Sequence, residues 1–212
     1  SDVCSSDLSD HIAGLQQLLK RFDIPVYTKQ GTWREIQDKL IVPKNRLIEL
    51  TKGSLTLGSL IVEPFSVSHD AADPIGINVF AGNDKATIVT DTGVISDDIL
   101  RRIDDTTLLV LEANYDPHML RFGPYQPFLK QRVASDEGHL SNEMAAQALL
   151  MMKRPDFMQV ILAHRSENNN NSVLVTQTIG KMLVDGGVRI GPEMKLQHGQ
   201  PNEIVSIQSV KR

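Results

Sequence analysis

Ser9-Asp10-His11-Ile12-Ala13-Gly14-Leu15 sets an acid beside an imidazole where a helical pattern begins. Ile12, Leu15, Leu18, Leu19 and Phe22 recur at helical spacing, so residues 10–22 are expected to form one amphipathic helix with Asp10 and His11 in its first turn. An Asp-His pair at a helix mouth offers one oxygen and one nitrogen donor, half of a small metal site. Taken alone, the pair has a plainer reading as a first-turn acid with an incidental neighbour. Its meaning therefore depends on what the rest of the chain brings to it. Residues 1–8 (SDVCSSDL) read like a translated adapter end rather than native protein. They are expected to be a non-native leader, with a single domain over residues 9–212 and a truncation ahead of it.

Bulk properties set outer limits. The 212 residues suffice for one domain with a substantial core, and 41% hydrophobic with 23% charged is ordinary for a soluble chain. A formal charge of −4 argues against a general polyanion coat, so nucleic-acid contact would need a local basic patch. The single cysteine, Cys4, lies in the leader, which excludes a disulfide framework and thiolate ligands. Metal ligands would have to be His and carboxylate. No apolar run approaches the length of a membrane span, and a cytoplasmic location is expected.

Along the chain, strand and helix patterns alternate. Residues 24–27 read as a short buried strand, and a second helix opens near Thr32 as its N-cap. Residues 54–67 turn strand-like, and strands at 77–80 and 86–90 are joined by a Gly82-Asn83-Asp84 turn. Ser96 caps a helix over 96–103, and residues 107–111 are apolar enough to be an interior strand ending at Glu112. Residues 117–134, with Pro117, Pro124 and Pro127, read as a long interrupted loop. A helix over 142–152 follows with Ser141 as N-cap, then a strand over 159–163 ending at His164, then a helix over 172–184 closed by Gly186-Gly187.

Three of the polar residues share a topology. His69, Asp91 and His164 each stand at the end of an expected strand, and Asp10-His11 stand at a helix start that would follow one. Loops on one sheet edge can bring such residues to one point, where imidazole and carboxylate suit Zn, Mn or Fe. A carboxylate such as Asp91 could bridge two ions, and such a pair clamps a scissile group and acidifies the water between them. Singly, each residue has a structural reading: His near a strand end is usually hydrogen-bonded structure, Asp91-Thr92-Gly93 is an ordinary turn, and Glu112 could pair with a nearby cation.

The ordered set resembles the metallo-β-lactamase-fold hydrolases, and within them the small bacterial exonuclease branch often encoded beside a cell-wall two-component regulator. Ser9-Asp10-His11 resembles the tail of the His-x-His-x-Asp-His signature, residues 65–74 (FSVSHDAADP) the third motif, Asp91-Thr92-Gly93 the bridging-carboxylate motif, and Ala163-His164 the last. Residues 111–116 (LEANYD) and 135–142 (SDEGHLSN) resemble that exonuclease branch in particular, although relatives commonly carry His where this chain has Tyr115. The resemblance implies an α/β protein, an αββα sandwich of the metallo-β-lactamase type lacking its first strands. It implies two divalent ions, Zn or Mn, with Asp10, His11, Asp91 and His164 at one position. At the other, His69 and Asp91 would be joined by two histidines that this sequence does not contain, so weak ion binding and low activity are expected of it.

The function so implied is a dinuclear-metal phosphodiesterase acting as a DNA exonuclease. Asp10 would orient the attacking water and His139 would assist the leaving oxygen. Lys130, Arg132, Ser141 and Asn142 are candidates for holding phosphate, the last two because a Gly-His-Leu-Ser-Asn turn running into a helix offers N–H groups to an anion. Alternatives are a metal-dependent hydrolase of a small ester, thioester or lactam, or an inert fragment. The basic loop 121–132 and the residue 138–142 turn speak against a small neutral substrate.

Overall fold

Strand-helix alternation resolves into two sheets packed face to face. The computed structural model describes residues 2–3, 8–50, 53–200 and 203–207, with the side chains of residues 2, 3, 9, 10 and 44 outside that description. Most of the suspected leader thus lies outside the described residues, as does the side chain of Asp10. The smaller sheet is parallel, β1 (Asp2–Val3), β2 (Val26–Thr28) and β3 (Leu47–Glu49), in that order. Its neighbours in sequence are α1 (Ser9–Ile12), α2 (Leu15–Arg21) and α3 (Gln30–Ile36).

The larger sheet begins as an antiparallel meander of β4 (Leu55–Leu57), β5 (Leu60–Ser66), β6 (Ile75–Ala81) and β7 (Asp84–Val89). It continues in parallel through β8 (Leu108–Glu112), β9 (Met158–Ala163) and β10 (Met194–His198). The crossovers carry α4 (Asp97–Ile103), then α5 (Pro117–Phe122), α6 (Pro127–Val133) and α7 (Asn142–Met151), then α8 (Ser172–Asp185). Parallel neighbours require such crossovers, and the chemistry-bearing loops collect at the strand ends.

Period-two alternation assigns the layers. In β2, Val26 packs with Ile12, Leu15, Leu19 and Ile36, while Tyr27 joins Val62, Ile75 and Ile77 of the larger sheet. On the far face of that sheet, Leu109, Leu111, Val160 and Leu162 meet Ile99, Ile103, Leu149, Ile179 and Leu183 of α4, α7 and α8. The order is helix, sheet, sheet, helix, as expected. Leu109 and Leu111 are fully buried, each contributing roughly 1.5–3 kcal/mol. Among the described residues, no helix is long and apolar enough to cross a membrane.

Three local expectations change, and one strand is added. The helix expected over 10–22 breaks at Ala13-Gly14, where Gly14 becomes the N-cap of α2; glycine is a poor interior helix residue. Thr32 lies inside α3 rather than at its N-cap, and its hydroxyl donates to the Asp73 carbonyl at 3.2 Å. Residues 117–134 are two short helices instead of a loop, because Pro117 and Pro127 occupy first-turn positions where a missing N–H costs nothing. β10, at the sheet edge, had no clear pattern in the sequence. By contrast, Ser96 and Ser141 are N-caps as read, accepting from the Ile99 and Met144 amides, each at 3.2 Å.

Candidate metal centre

Asp91 ends the short segment after β7 and gathers imidazoles from four parts of the chain. His11 Nε2, from α1, stands 2.9 Å from Asp91 Oδ2; His69 Nε2 and His164 Nε2 each stand 3.6 Å from Oδ1. His139 joins them, its ring 5.0 Å from that of His69 and 5.3 Å from that of His164, centre to centre. Burial pushes the Asp91 carboxyl up, but the close His11 contact and the His164, His11 and His69 imidazoles outweigh it, holding the group down to about 2. It is ionised at any ordinary pH.

Beneath the cluster lies Glu112, the last residue of β8 and fully buried. Oε1 accepts from His139 Nδ1 at 3.0 Å and from the Leu140 amide at 2.9 Å; Oε2 accepts from His164 Nδ1 at 3.1 Å and from the Asp91 amide at 2.5 Å. Burial raises its pKa, yet the hydrogen bonds from His139 and His164 win and hold it below the usual carboxylate range. With four donors on its two oxygens, Glu112 has no lone pair left for a metal. Asp91, Glu112, His139 and His164 can be grouped as one metal-holding set by proximity, but hydrogen-bond saturation assigns Glu112 the role of orienting the imidazoles.

That orientation is what fits the site to a cation. His164 gives Nδ1–H to Glu112, and His69 gives Nδ1–H to the Gly138 carbonyl at 2.9 Å. Both partners are pure acceptors, so in the neutral imidazole the lone pair resides on Nε2. The two Nε2 atoms therefore aim lone pairs toward an ionised carboxylate at a distance too long for a hydrogen bond. Lone pairs facing a carboxylate repel unless a cation lies among them. Asp91 Oδ2 is buried, with His11 Nε2 beside it at 2.9 Å and no other polar partner among the described residues. Histidine ligands whose other nitrogen donates to a carboxylate or carbonyl are the usual arrangement around divalent ions.

Backbone strain is concentrated here. Asp91 and His164 have φ of 53° and 51°, two of the three non-glycine residues in the left-handed region among the described residues. Such residues cost roughly 1–3 kcal/mol each and persist where their surroundings fix them. Asp91 is fixed by its amide on Glu112, and His164 by its carbonyl, which accepts from Asn114 Nδ2 at 2.7 Å. Two glycines let the loops close together. A Cβ on Gly93 would lie 2.2 Å from the Ser135 carbonyl oxygen, and one on Gly138 would lie 2.2 Å from that of Arg132. Gly138→Ala is expected to destabilise the fold by roughly 1–3 kcal/mol and to disturb His69 and His139 together. Chemical denaturation measures the first effect, and an unchanged midpoint would contradict this packing.

Residues 3–164 match the beta-lactamase superfamily domain. The chain belongs to that superfamily. It is 34% identical over 204 residues to exodeoxyribonuclease YycJ of Bacillus anthracis, covering 95% of this chain and 77% of the relative. It is 31% identical over 199 residues to exodeoxyribonuclease WalJ of Streptococcus pneumoniae, covering 92% and 74%. Among solved structures, the metallo-beta-lactamase fold protein YhfI from Bacillus subtilis superposes with a TM-score of 0.66 at 16% identity, covering 92% of this chain and 73% of that one.

Within this superfamily frame the structure brings His11, His69, Asp91, His139 and His164 together, and Asp10 precedes His11 in α1 with its side chain outside the described residues. The four phosphate candidates separate. Arg132 lines the groove beside the cluster but forms a two-pronged ion pair with Asp70, through Nε and, at 2.7 Å, through Nη2. The Arg132 guanidinium holds Asp70 below its ordinary range, and Asp70 in return raises Arg132. Lys130 turns back to donate to the Arg121 carbonyl at 2.8 Å. Ser141 is buried as the α7 cap, and Asn142 is buried against Asn170, whose Nδ2 reaches its Oδ1 at 2.8 Å. These last two side chains support the His139 turn from inside. Sequence reading gave Glu112 only as a strand end that could pair with a nearby cation and gave Asp70 no role of its own, whereas the two hold His139, His164 and Arg132 in place.

Proposed function

We propose that this chain is a metal-dependent phosphodiesterase that acts on DNA as an exonuclease. The observation that carries the reading is the aim of His11, His69 and His164 at one buried, ionised Asp91, with His139 held beside them by Glu112. The names of the relatives, exodeoxyribonucleases at 34% and 31% identity, support DNA as the substrate. A cytoplasmic location accords with that substrate. His11, Asp91 and His164, with Asp10, would hold one ion, and His69 with Asp91 would serve a second. Divalent ions, zinc or manganese by donor type, would supply Lewis acidity to the phosphoryl group and to water.

The chain's own residues do the rest. Asp10 would orient the attacking water. His139 engages Glu112 through Nδ1, which leaves Nε2 for the substrate. Glu112 stays ionised beneath the ring, and a proton carried on Nε2 would be in place to pass to the departing oxygen. His139→Ala is expected to slow cleavage by roughly 10²–10⁴-fold while metal content stays constant. Loss of metal in that variant would make His139 a ligand.

Digestion of end-labelled linear DNA, compared with covalently closed circles, tests the activity. With millimolar manganese or zinc, to load the His69 position, nucleotides should be released from the linear form alone. A chelator should stop the release. Equal digestion of circles, or cleavage insensitive to the chelator, would overturn the reading.

A further inference from the structure

Beside the metal centre runs a groove of about 1120 Å³, bordered by His139, His164, Tyr125, Asn114 and Asn168 among others. Arg165, directly after His164 at the end of β9, is part of its wall. The side chain is half-buried, and its Nη1 is buried with no hydrogen-bond partner. Leaving a buried donor unsatisfied costs about 1–3 kcal/mol, and more when it is charged. Buried polar groups without partners are rare in native proteins and call for an explanation, an absent ion or ligand being one.

The groove's other guanidinium, Arg132, is already neutralised by Asp70. Arg165 has no such acid among the described residues, although Glu167 stands exposed nearby in the wall. The remaining wall is largely neutral and polar, including Asn171 and Ser172 at the start of α8. Arg165 is thus a cation without an ion pair among the described residues, in a wall of mostly uncharged donors and acceptors, which suits an anion. Arg165 makes no ion pair with Asp91 or Glu112, so its guanidinium lies beyond ion-pair distance of both carboxylates, in the wall of the same groove. A group bound there is displaced from the reacting phosphorus.

We propose that Arg165 is the seat for a phosphate of the DNA strand next to the scissile one, fixing how the strand lies in the groove. This rests on the phosphodiesterase reading for its ligand. A guanidinium gives two parallel N–H donors to one phosphate and keeps its charge at all relevant pH.

Binding of a fluorescein-labelled oligonucleotide, followed by anisotropy across a range of salt, tests it without requiring cleavage. Arg165→Gln should weaken binding about tenfold and reduce the slope of log affinity against log salt by about one. Arg165→Lys should restore most of the slope and less of the affinity, since it keeps the charge without the fork. Metal content of both variants should match the parent and their thermal midpoints should not fall, whereas a merely structural role would lower the midpoint. An Arg165→Gln protein with parental affinity and salt slope would overturn the seat. No oligonucleotide binding by the parent protein would overturn both the seat and the phosphodiesterase reading. Binding with the Arg165 dependence but without cleavage would sink only the latter.

Discussion

Asp91→Asn should remove bound metal and lower hydrolysis by at least about 10³-fold while the fold survives. One carboxylate serves His11, His69 and His164 at 2.9, 3.6 and 3.6 Å. Asparagine keeps one oxygen and replaces the other by an NH2 group that would face imidazole lone pairs. Charge stabilisation by a bound ion is worth several kcal/mol, and each 1.36 kcal/mol is about tenfold in rate. Loss of a shared ligand therefore costs about three orders of magnitude or more. Elemental analysis and rate measurement on the same preparation check both parts. A variant that keeps its metal and rate would show that Asp91 is only a structural turn.

Glu112→Gln has the second large effect and a different signature. The carboxylate satisfies four donors, His139 Nδ1, His164 Nδ1 and the amides of Leu140 and Asp91. A glutamine accepts through one oxygen and sets its amide hydrogens against donors on the other side. Each buried donor left without a partner costs about 1–3 kcal/mol, so the thermal midpoint should fall. Both imidazoles also lose their anchor. Altering one such supporting contact usually lowers metal affinity or activity about 10–100-fold, and here two are altered together, so a loss of roughly 10²-fold or more is expected. Unlike Asp91→Asn, this variant should lose stability and activity together. Full activity with a lowered midpoint would reduce Glu112 to a fold-stabilising group.

The difference between these two residues mirrors what was legible in the sequence. Asp91, His69 and His164 stand at strand ends, a placement that periodicity reveals without a structure. The layer order and the Ser96 and Ser141 caps were legible for the same reason, since they depend on local pattern. Glu112 was less so. It ends an apolar strand, where an ionised side chain can be buried only if it is partnered, but its partners come from residues 91, 139, 140 and 164. No local pattern names them. Prolines 117 and 127 misled for a related reason, because the same residue that breaks a helix interior is favoured in its first turn. Asn142 was read from its place in a turn, and its side-chain pairing with Asn170, 28 residues on, has no local signal. Arg165 carries no motif at all, and its significance lies in what it fails to touch.

Cobalt(II) titration of the purified protein, followed by visible absorption, addresses the metal centre without relying on catalysis. The arrangement of His11, Asp91 and His164 predicts a bound ion with the spectrum of nitrogen and oxygen donors, displaced by zinc, and absent from Asp91→Asn. No spectrum, or one of equal strength in Asp91→Asn, would contradict a metal centre at Asp91.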